Sequence, residues 1–331
     1  MKPRLTRRLI VHAIGLLVLA VFPYLAEMAG EPYFTTIASR VLIYAIAAVS
    51  LDLILGFGGM VSFGHGAFFG IGGFAVGILT HHALESSAVP FLPGDWTGST
   101  LALVQFPVAI AASGLAGLVI GALSLRTRGV YFIMITLAFA QMLYYLMISL
   151  PTYGGEDGLN LWQRSDMPGL DLYDDVTFYY LVAGILLALV YLCSRIVNSR
   201  FGMVLQACRQ NEQRLEALGI PTYRYKLAAF ILSAMGAGLA GALIANHNEF
   251  VGPGMMHWTR SGDLMIMVIL GGMGTLIGPI FGAVTLLFIE EILAQYTEHW
   301  MVILGPVLIF VVLFAKRGVY GWLAGRGKHD D

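Results

Sequence analysis

This sequence predicts an all-α, polytopic membrane bundle, and three observations carry the prediction. Of 331 residues, 58% are hydrophobic and 12% charged, with a mean hydropathy of +0.77, which is too apolar for a soluble domain of this length. Charge-free runs close to the ~20 residues needed to cross a hydrocarbon core recur at 9–26, 101–123, 129–150, 176–194, 227–245, 264–289 and 299–315, and 33–80 is long enough for two more. The runs are continuous rather than alternating, which excludes a β-barrel. The expectation is one transmembrane domain over 1–331, of about ten membrane segments, some broken by glycine.

Lys and Arg are retained on the cytoplasmic side of a membrane and so orient the loops. Lys2, Arg4, Arg7 and Arg8 open the chain, Arg126 and Arg128 separate two runs, and Lys316, Arg317, Arg326 and Lys328 lie in the tail 316–331. Both termini are therefore expected in the cytoplasm. Segment 81–100 has no Lys or Arg, and 151–176 sets Glu156, Asp157, Asp166, Asp171, Asp174 and Asp175 against Arg164 alone; both belong outside. The first run has the basic flank of a signal peptide, but no small-residue cleavage site follows Tyr24, so it reads as a retained span. Cys193 and Cys208 fall at the cytoplasmic edge, where thiols stay reduced, and lack metal-ligand spacing. The net charge of −1 conceals this sidedness, and no feature supports nucleic-acid binding.

Within 33–80, Arg40 and Asp52 bracket one span; Arg40 is long enough to snorkel outward, and Asp52 falls close to a cytoplasmic break. The break is the cluster Gly56, Gly58 and Gly59, since each glycine costs about 1 kcal/mol in a helix interior. Gly64, Gly66, Ala67, Gly70, Gly72 and Gly73 then follow at spacings that suit close helix contact. His65 is the one titratable side chain of 53–80. A neutral ring hydrogen-bonded to a carbonyl is its favoured state, and a functional ionisable group is the alternative. A second interruption lies in 264–289, where Gly271, Gly272 and Gly274 precede Gly278, Pro279 and Gly282. Both begin Ile-Leu-Gly, at Ile54–Gly56 and Ile269–Gly271. Paired broken spans point to an internal repeat around a translocation path, and plain close packing of small residues explains them equally well. Glu290 and Glu291 are expected at a solvated helix end.

The longest polar interruption, 195–226, carries Arg195, Arg200, Arg209, Arg214, Arg224 and Lys226 against Glu212 and Glu216. Phe201, Val204, Leu205 and Cys208 recur at helical spacing and form one apolar stripe. Ser199 is a candidate cap, and Gly219 followed by Pro221 is a stop signal. The expectation is a short amphipathic helix or helix pair on the cytoplasmic face, either docking a soluble partner or lying among lipid headgroups.

Chemistry-bearing motifs are missing. There is no G-x-x-x-x-G-K-[ST] to cradle a nucleotide, no H-E-x-x-H, and no G-x-S-x-G. His81 and His82 are adjacent, which points their rings to different helix faces. The chain is not expected to be an enzyme, and energy from ATP requires another subunit.

The residues themselves carry a resemblance. LDLILGFGGMVSFGHGAFFGIGGF (51–74), SLRTRGVYFIMITLAFAQML (124–143), YGGEDGL (153–159), SRFGMVLQACRQNEQRLEALGI with YKLAAFILSAMGAGLAGAL (199–243) and MVILGGMGTLIGPIFGA (267–283) resemble the inner-membrane permease subunits of bacterial ABC importers for branched-chain amino acids. The resemblance implies a non-hydrolysing channel subunit in the inner membrane. Its partners would be a second, homologous permease, two cytoplasmic ATP-binding subunits that alone bind and hydrolyse ATP, and a periplasmic substrate-binding protein. It also implies that Arg200, Phe201, Arg209, Glu212, Glu216 and Gly219 couple to the ATPase. Arg214 and Leu215 replace the small residues frequent in the family. The expected path runs along Gly56, Gly58, Gly59, Ser62 and His65, and along Gly271, Gly272 and Gly274, with no metal and no cofactor. Leucine, isoleucine and valine are the default substrates, although relatives carry urea, other amino acids or small organic acids. An ion-coupled secondary transporter of a small polar solute is the rival reading, because broken helices in paired halves occur there too.

Overall fold

The computed structural model describes residues 2–28, 30–88, 96–296, 302, 305–306 and 318–324; the span expected at 299–315 lies almost wholly outside them, as do the charges Lys316, Arg317, Arg326 and Lys328. The described residues form a polytopic helical bundle with eight helices long and apolar enough to cross a membrane. In chain order the helices are α1 (Lys2–Met28), α2 (Tyr33–Asp52), α3 (His65–Glu85), α4 (Ala102–Ser124), α5 (Val130–Ile148) and α6 (Asp175–Val197). Two short helices follow, α7 (Arg200–Gln210) and α8 (Glu212–Ala217), then α9 (Thr222–Asn248), α10 (Trp258–Gly271), α11 (Gly278–Tyr296) and α12 (Gly318–Ala324).

The core is built on α2, α3 and α9. Every residue of α2 from Leu42 to Asp52 is buried, as expected of a helix apolar on all faces. α3 and α9 approach closely enough that only glycine fits between them: a methyl at Gly72 would meet the Gly238 carbonyl at 1.8 Å, and one at Gly241 would meet the Phe69 carbonyl at 1.7 Å. The predicted close contact along the small-residue stripe is thus present. α4 and α5 form part of the rim, with Leu115, Tyr131 and Met134 more than three-fifths exposed. That is the outward apolar face a bilayer requires.

The bundle has two chemically different ends. At one, the acidic segment folds as a cap: a short strand, β1 (Leu159–Asn160), pairs antiparallel with β2 (Phe250–Val251). Arg164, the lone base of that segment, binds Asp175 at 2.8 Å and lies 3.4 Å from Glu249, with its guanidinium over the Phe178 ring. At the opposite end lie the 125–129 turn, the basic stretch and both glycine breaks. His12 of α1 bonds Tyr320 of α12 at 3.0 Å, and a methyl at Gly318 would meet Gly272 N at 2.5 Å, so α12 belongs to this basic end.

Two expectations change. The run 264–289 is not one span: α10 ends at Gly271 and α11 begins at Gly278. A 14-residue helix is ~21 Å long, too short to cross, and α11 alone crosses. Glu290 and Glu291 lie toward the end of α11, as expected, but are not simply solvated, because both pair with α2. Arg40 Nη2 is 3.2 Å from Glu290 Oε1, and the Tyr33 hydroxyl donates to Glu291 Oε1 at 2.8 Å. Arg40 therefore holds an ion pair between two spanning helices.

Candidate functional site

The amphipathic stretch is the predicted helix pair. Ser199 Oγ accepts from the Gly202 N–H at the start of α7, and the stripe turns inward, with Leu205 and Cys208 buried and the Phe201 ring 5.6 Å from Tyr225. Burial pushes the Cys208 thiol above its ordinary pKa, with the Lys226 ammonium partly offsetting it. Asn211 separates the two helices, and its side chain accepts from the Arg214 N–H at 3.0 Å, capping α8. Gly219 ends α8 at φ +79°. Its N–H donates to Glu216 O at 2.9 Å and that of Ile220 to Leu215 O at 3.1 Å, the paired bonds of a Schellman closure.

Glu212 and Glu216 are engaged within the chain. Glu212 accepts from Lys226 Nζ at 2.5 Å and lies 3.5 Å from Arg128 Nε; Glu216 pairs with Arg128 Nη2 at 2.8 Å. The Thr222 hydroxyl reaches both carboxylates at 3.3 Å. These contacts clamp α8 onto the start of α9 and onto the α4–α5 turn. The outward face of the pair instead presents Arg200, Met203, Gln213, Arg214 and Leu218. Arg214 and Leu215, the two departures from the family pattern, thus divide: Arg214 is exposed and Leu215 buried.

Arg209 leaves this outward face and reaches back into the bundle, where its Nη1 donates to the Gly56 carbonyl. Gly56 belongs to a wide helical turn, Leu53–Phe57, that terminates α2. The irregular segment 58–64 then leads to α3. The second break meets the first at the same point, because Gly274 N–H donates to Asp52 Oδ1 at 2.9 Å. A methyl on Gly56 would lie 2.0 Å from that carboxylate oxygen and 2.3 Å from Gly274 N, so the contact needs glycine. Asp52 is buried, and its second oxygen has no partner among the described residues. Gly59, at φ +67°, packs against the Arg209 side chain. A cavity of about 220 Å³ opens between Gly59, Arg128, Cys208, Arg209, Glu212 and Lys226.

The structure therefore brings Gly56, Gly58, Gly59 and Gly274 to one junction with Asp52 and Arg209, whereas Gly271 packs against Gly278 and Gly282, and Gly272 against Gly318. Ser62 and His65 lie apart from it, both with no exposed surface. His65 Nε2 bonds Ser233 Oγ at 2.8 Å and Nδ1 lies 3.3 Å from Ser62 Oγ, while Ser233 donates to Ser50 O at 2.6 Å. The ring stands edge-on to Phe68 and Phe230. Its partners are hydroxyls, not the expected carbonyl, and it ties α3 to α9 and α2. Sequence reading placed Asp52 near a break but offered no signal that a loop more than half the chain away supplies its hydrogen bond.

Comparison with known proteins adds the family. The model described as branched-chain amino acid transport system / permease component matches residues 33–312. The high-affinity branched-chain amino acid transport system permease protein LivM of Salmonella typhimurium is 28% identical, covering 92% of this chain and 73% of its own. The permease protein LivH of Escherichia coli, from the system of the same name, is 26% identical over 84% of this chain and 91% of its own. The probable branched-chain amino acid transport permease protein LivM of Methanocaldococcus jannaschii is 25% identical over 82% and 86%. No solved structure matches.

Proposed function

The chain belongs to the family of branched-chain amino acid transport permease components, and we propose that it moves its substrate by a lever whose handle is α7–α8 and whose fulcrum is the junction of the two broken spans. The working assembly pairs it with a second, homologous permease, two ATP-binding subunits at the basic end and a substrate-binding protein at the acidic cap. The basic end faces the cytoplasm of a cell whose inner membrane holds the complex. ATP is bound and hydrolysed by the partners, and the chain needs no cofactor of its own. Leucine, isoleucine and valine are the substrates, selected mainly by the binding protein.

The observation that carries this reading is the bond from Arg209 to the Gly56 carbonyl. A helix whose other face is free for docking holds the backbone of one broken span, and that span holds the other through Asp52 and Gly274. A displacement of α7 is thereby delivered to both breaks at once. Packed helices switch between discrete arrangements rather than bending continuously, and ATP drives the switch only through its different affinity for the two states. Met203, Arg214 and Leu218 supply the docking surface, whereas Glu212 and Glu216 act indirectly by holding α8 in place.

The test is uptake into proteoliposomes of the assembled complex. Wild type accumulates leucine only with ATP and the ATPase subunits, and a cysteine at Met203→Cys crosslinks to an ATPase subunit. Arg209→Ala inserts and assembles but loses ATP-driven uptake. Uptake driven by a proton or sodium gradient without those subunits would refute the proposal, as would Arg209→Ala transporting like wild type.

A further inference from the structure

Charged side chains at bilayer depth avoid lipid and face the bundle interior or a watery cavity. Two of them, Arg260 and Asp263 of α10, lie 3.5 Å apart with side chains 44% and 43% exposed. Their depth follows from their neighbours. The segment ahead of α10 runs inward along α3, where a methyl at Gly77 would touch Val251 and one at Gly70 would touch Met256. Ser261 Oγ then donates to the Phe63 carbonyl and accepts from the Gly66 N–H, each at 2.7 Å. Phe63 N–H in turn donates to Thr136 Oγ1 at 3.3 Å in α5. The His257 ring lies 5.2 Å from Tyr144, about two turns farther along that helix. α10 therefore starts level with the middle of α5, and Arg260 occupies its first turn.

The surroundings suit a molecule with two opposite charges and an apolar body. Trp258 is 40% exposed, and its ring neighbours Phe63 at 6.3 Å and His257 at 5.7 Å, which gives an aromatic wall beside the ion pair. No side chain caps α10, so the positive end of its dipole adds to Arg260 in favouring an anion. In α11, which packs against α10, Glu290 is paired with Arg40 at 3.2 Å. A second opposed pair thus lies between α11 and α2.

We propose that Arg260 and Asp263 form an intramembrane station for a dipolar α-amino acid: Arg260 receives the carboxylate, Asp263 the ammonium, and the Trp258–Phe63 wall the aliphatic side chain. The proposal rests on the importer reading above and places substrate on the open face of α10 instead of beside buried Ser62 and His65. In the empty state the two residues satisfy each other. The dipolar ion replaces each partner with an equivalent charge, whereas an analogue missing either charge leaves one member unpaired, the situation in which polar sites reject ligands most strongly.

The experiment uses the assembled importer in proteoliposomes with L-leucine. Arg260→Gln and Asp263→Asn are each expected to lower ATP-driven uptake by about tenfold or more while still assembling, as judged by size exclusion. The exchanged pair Arg260→Asp with Asp263→Arg restores an ion pair of reversed polarity and is expected not to recover uptake. A membrane-impermeant maleimide should label Thr259→Cys through water. Single variants that transport like wild type, full recovery in the exchanged pair, or an unreactive Thr259→Cys would each overturn the station. Those results with normal wild-type uptake leave the importer reading intact, whereas a wild type without ATP-driven uptake overturns both.

Discussion

Replacing Gly56 by alanine tests the junction at its tightest point. The added methyl would sit 2.0 Å from Asp52 Oδ1 and 2.3 Å from Gly274 N, against an ordinary carbon contact of about 3.5 Å. Something must retreat by roughly 1.5 Å. Overpacking of this kind costs about 1–3 kcal/mol. If the loop bearing Gly274 gives way, its hydrogen bond to the buried Asp52 carboxyl is lost as well, for about 0.5–1.5 kcal/mol. Alanine's better helix propensity returns at most about 1 kcal/mol, so the net loss is about 0.5–4.5 kcal/mol, a drop of up to several degrees in melting midpoint. Both cysteines are buried, so a thiol-reactive dye reports unfolding in detergent without added labels. Gly184→Ala is the control, because a methyl there meets nothing within 4 Å and should be neutral or stabilising. A midpoint for Gly56→Ala indistinguishable from wild type would refute the contact between the breaks.

Three further outcomes follow from the same geometry. Gly219 has φ +79° but open space around it, so Gly219→Ala should cost about 1–2 kcal/mol through backbone conformation alone. Gly219→Asn should recover part of that, read as hydrogen-exchange protection of the Gly219 and Ile220 amides. Glu212→Gln strips Lys226, whose side chain is 14% exposed, of a charged partner and should cost about 1.5–3 kcal/mol. Glu216→Gln, whose partner Arg128 is 58% exposed, should cost under about 1 kcal/mol, and melting midpoints rank the two. The Asp174 carboxyl, which caps α6, is held below its ordinary pKa by the Thr177 hydroxyl first and by the Thr177 and Val176 amides. A depressed folded value means that its stabilisation is present above the unfolded pKa of about 4 and is lost as pH falls through the folded value. The difference in midpoint between wild type and Asp174→Ala should therefore shrink toward zero on acidification, and a constant difference would contradict the assignment.

Most spans, the separation of basic from acidic loops and both glycine breaks were legible in the chain because they are local properties. A charge-free run, a cluster of Gly56, Gly58 and Gly59, or a cap such as Ser199 acts through its immediate neighbours. The helix pair was read down to its buried stripe and its stop at Gly219. Misreadings arose where a partner lies far along the chain. The run 264–289 holds no charge, so its division at Gly271 could not be told from a kink, and Glu290 resembled a solvated end because nothing nearby in sequence announces Arg40.

By itself, then, the order of residues determined a helical membrane protein, its charged and uncharged loops, and the positions at which two spans lose regular structure. Tertiary structure alone decided that these two interruptions touch, that Asp52 bonds across them, that Arg209 reaches Gly56, and that Glu212 and Glu216 turn inward while Arg260 and Asp263 pair on an open face of α10. The physical reason is the range of the forces. Hydropathy and backbone preference are summed residue by residue along a segment, but a hydrogen bond or an ion pair exists only when two groups meet in space. Which groups meet is settled by the packing of α2, α3, α9, α10 and α11 against one another.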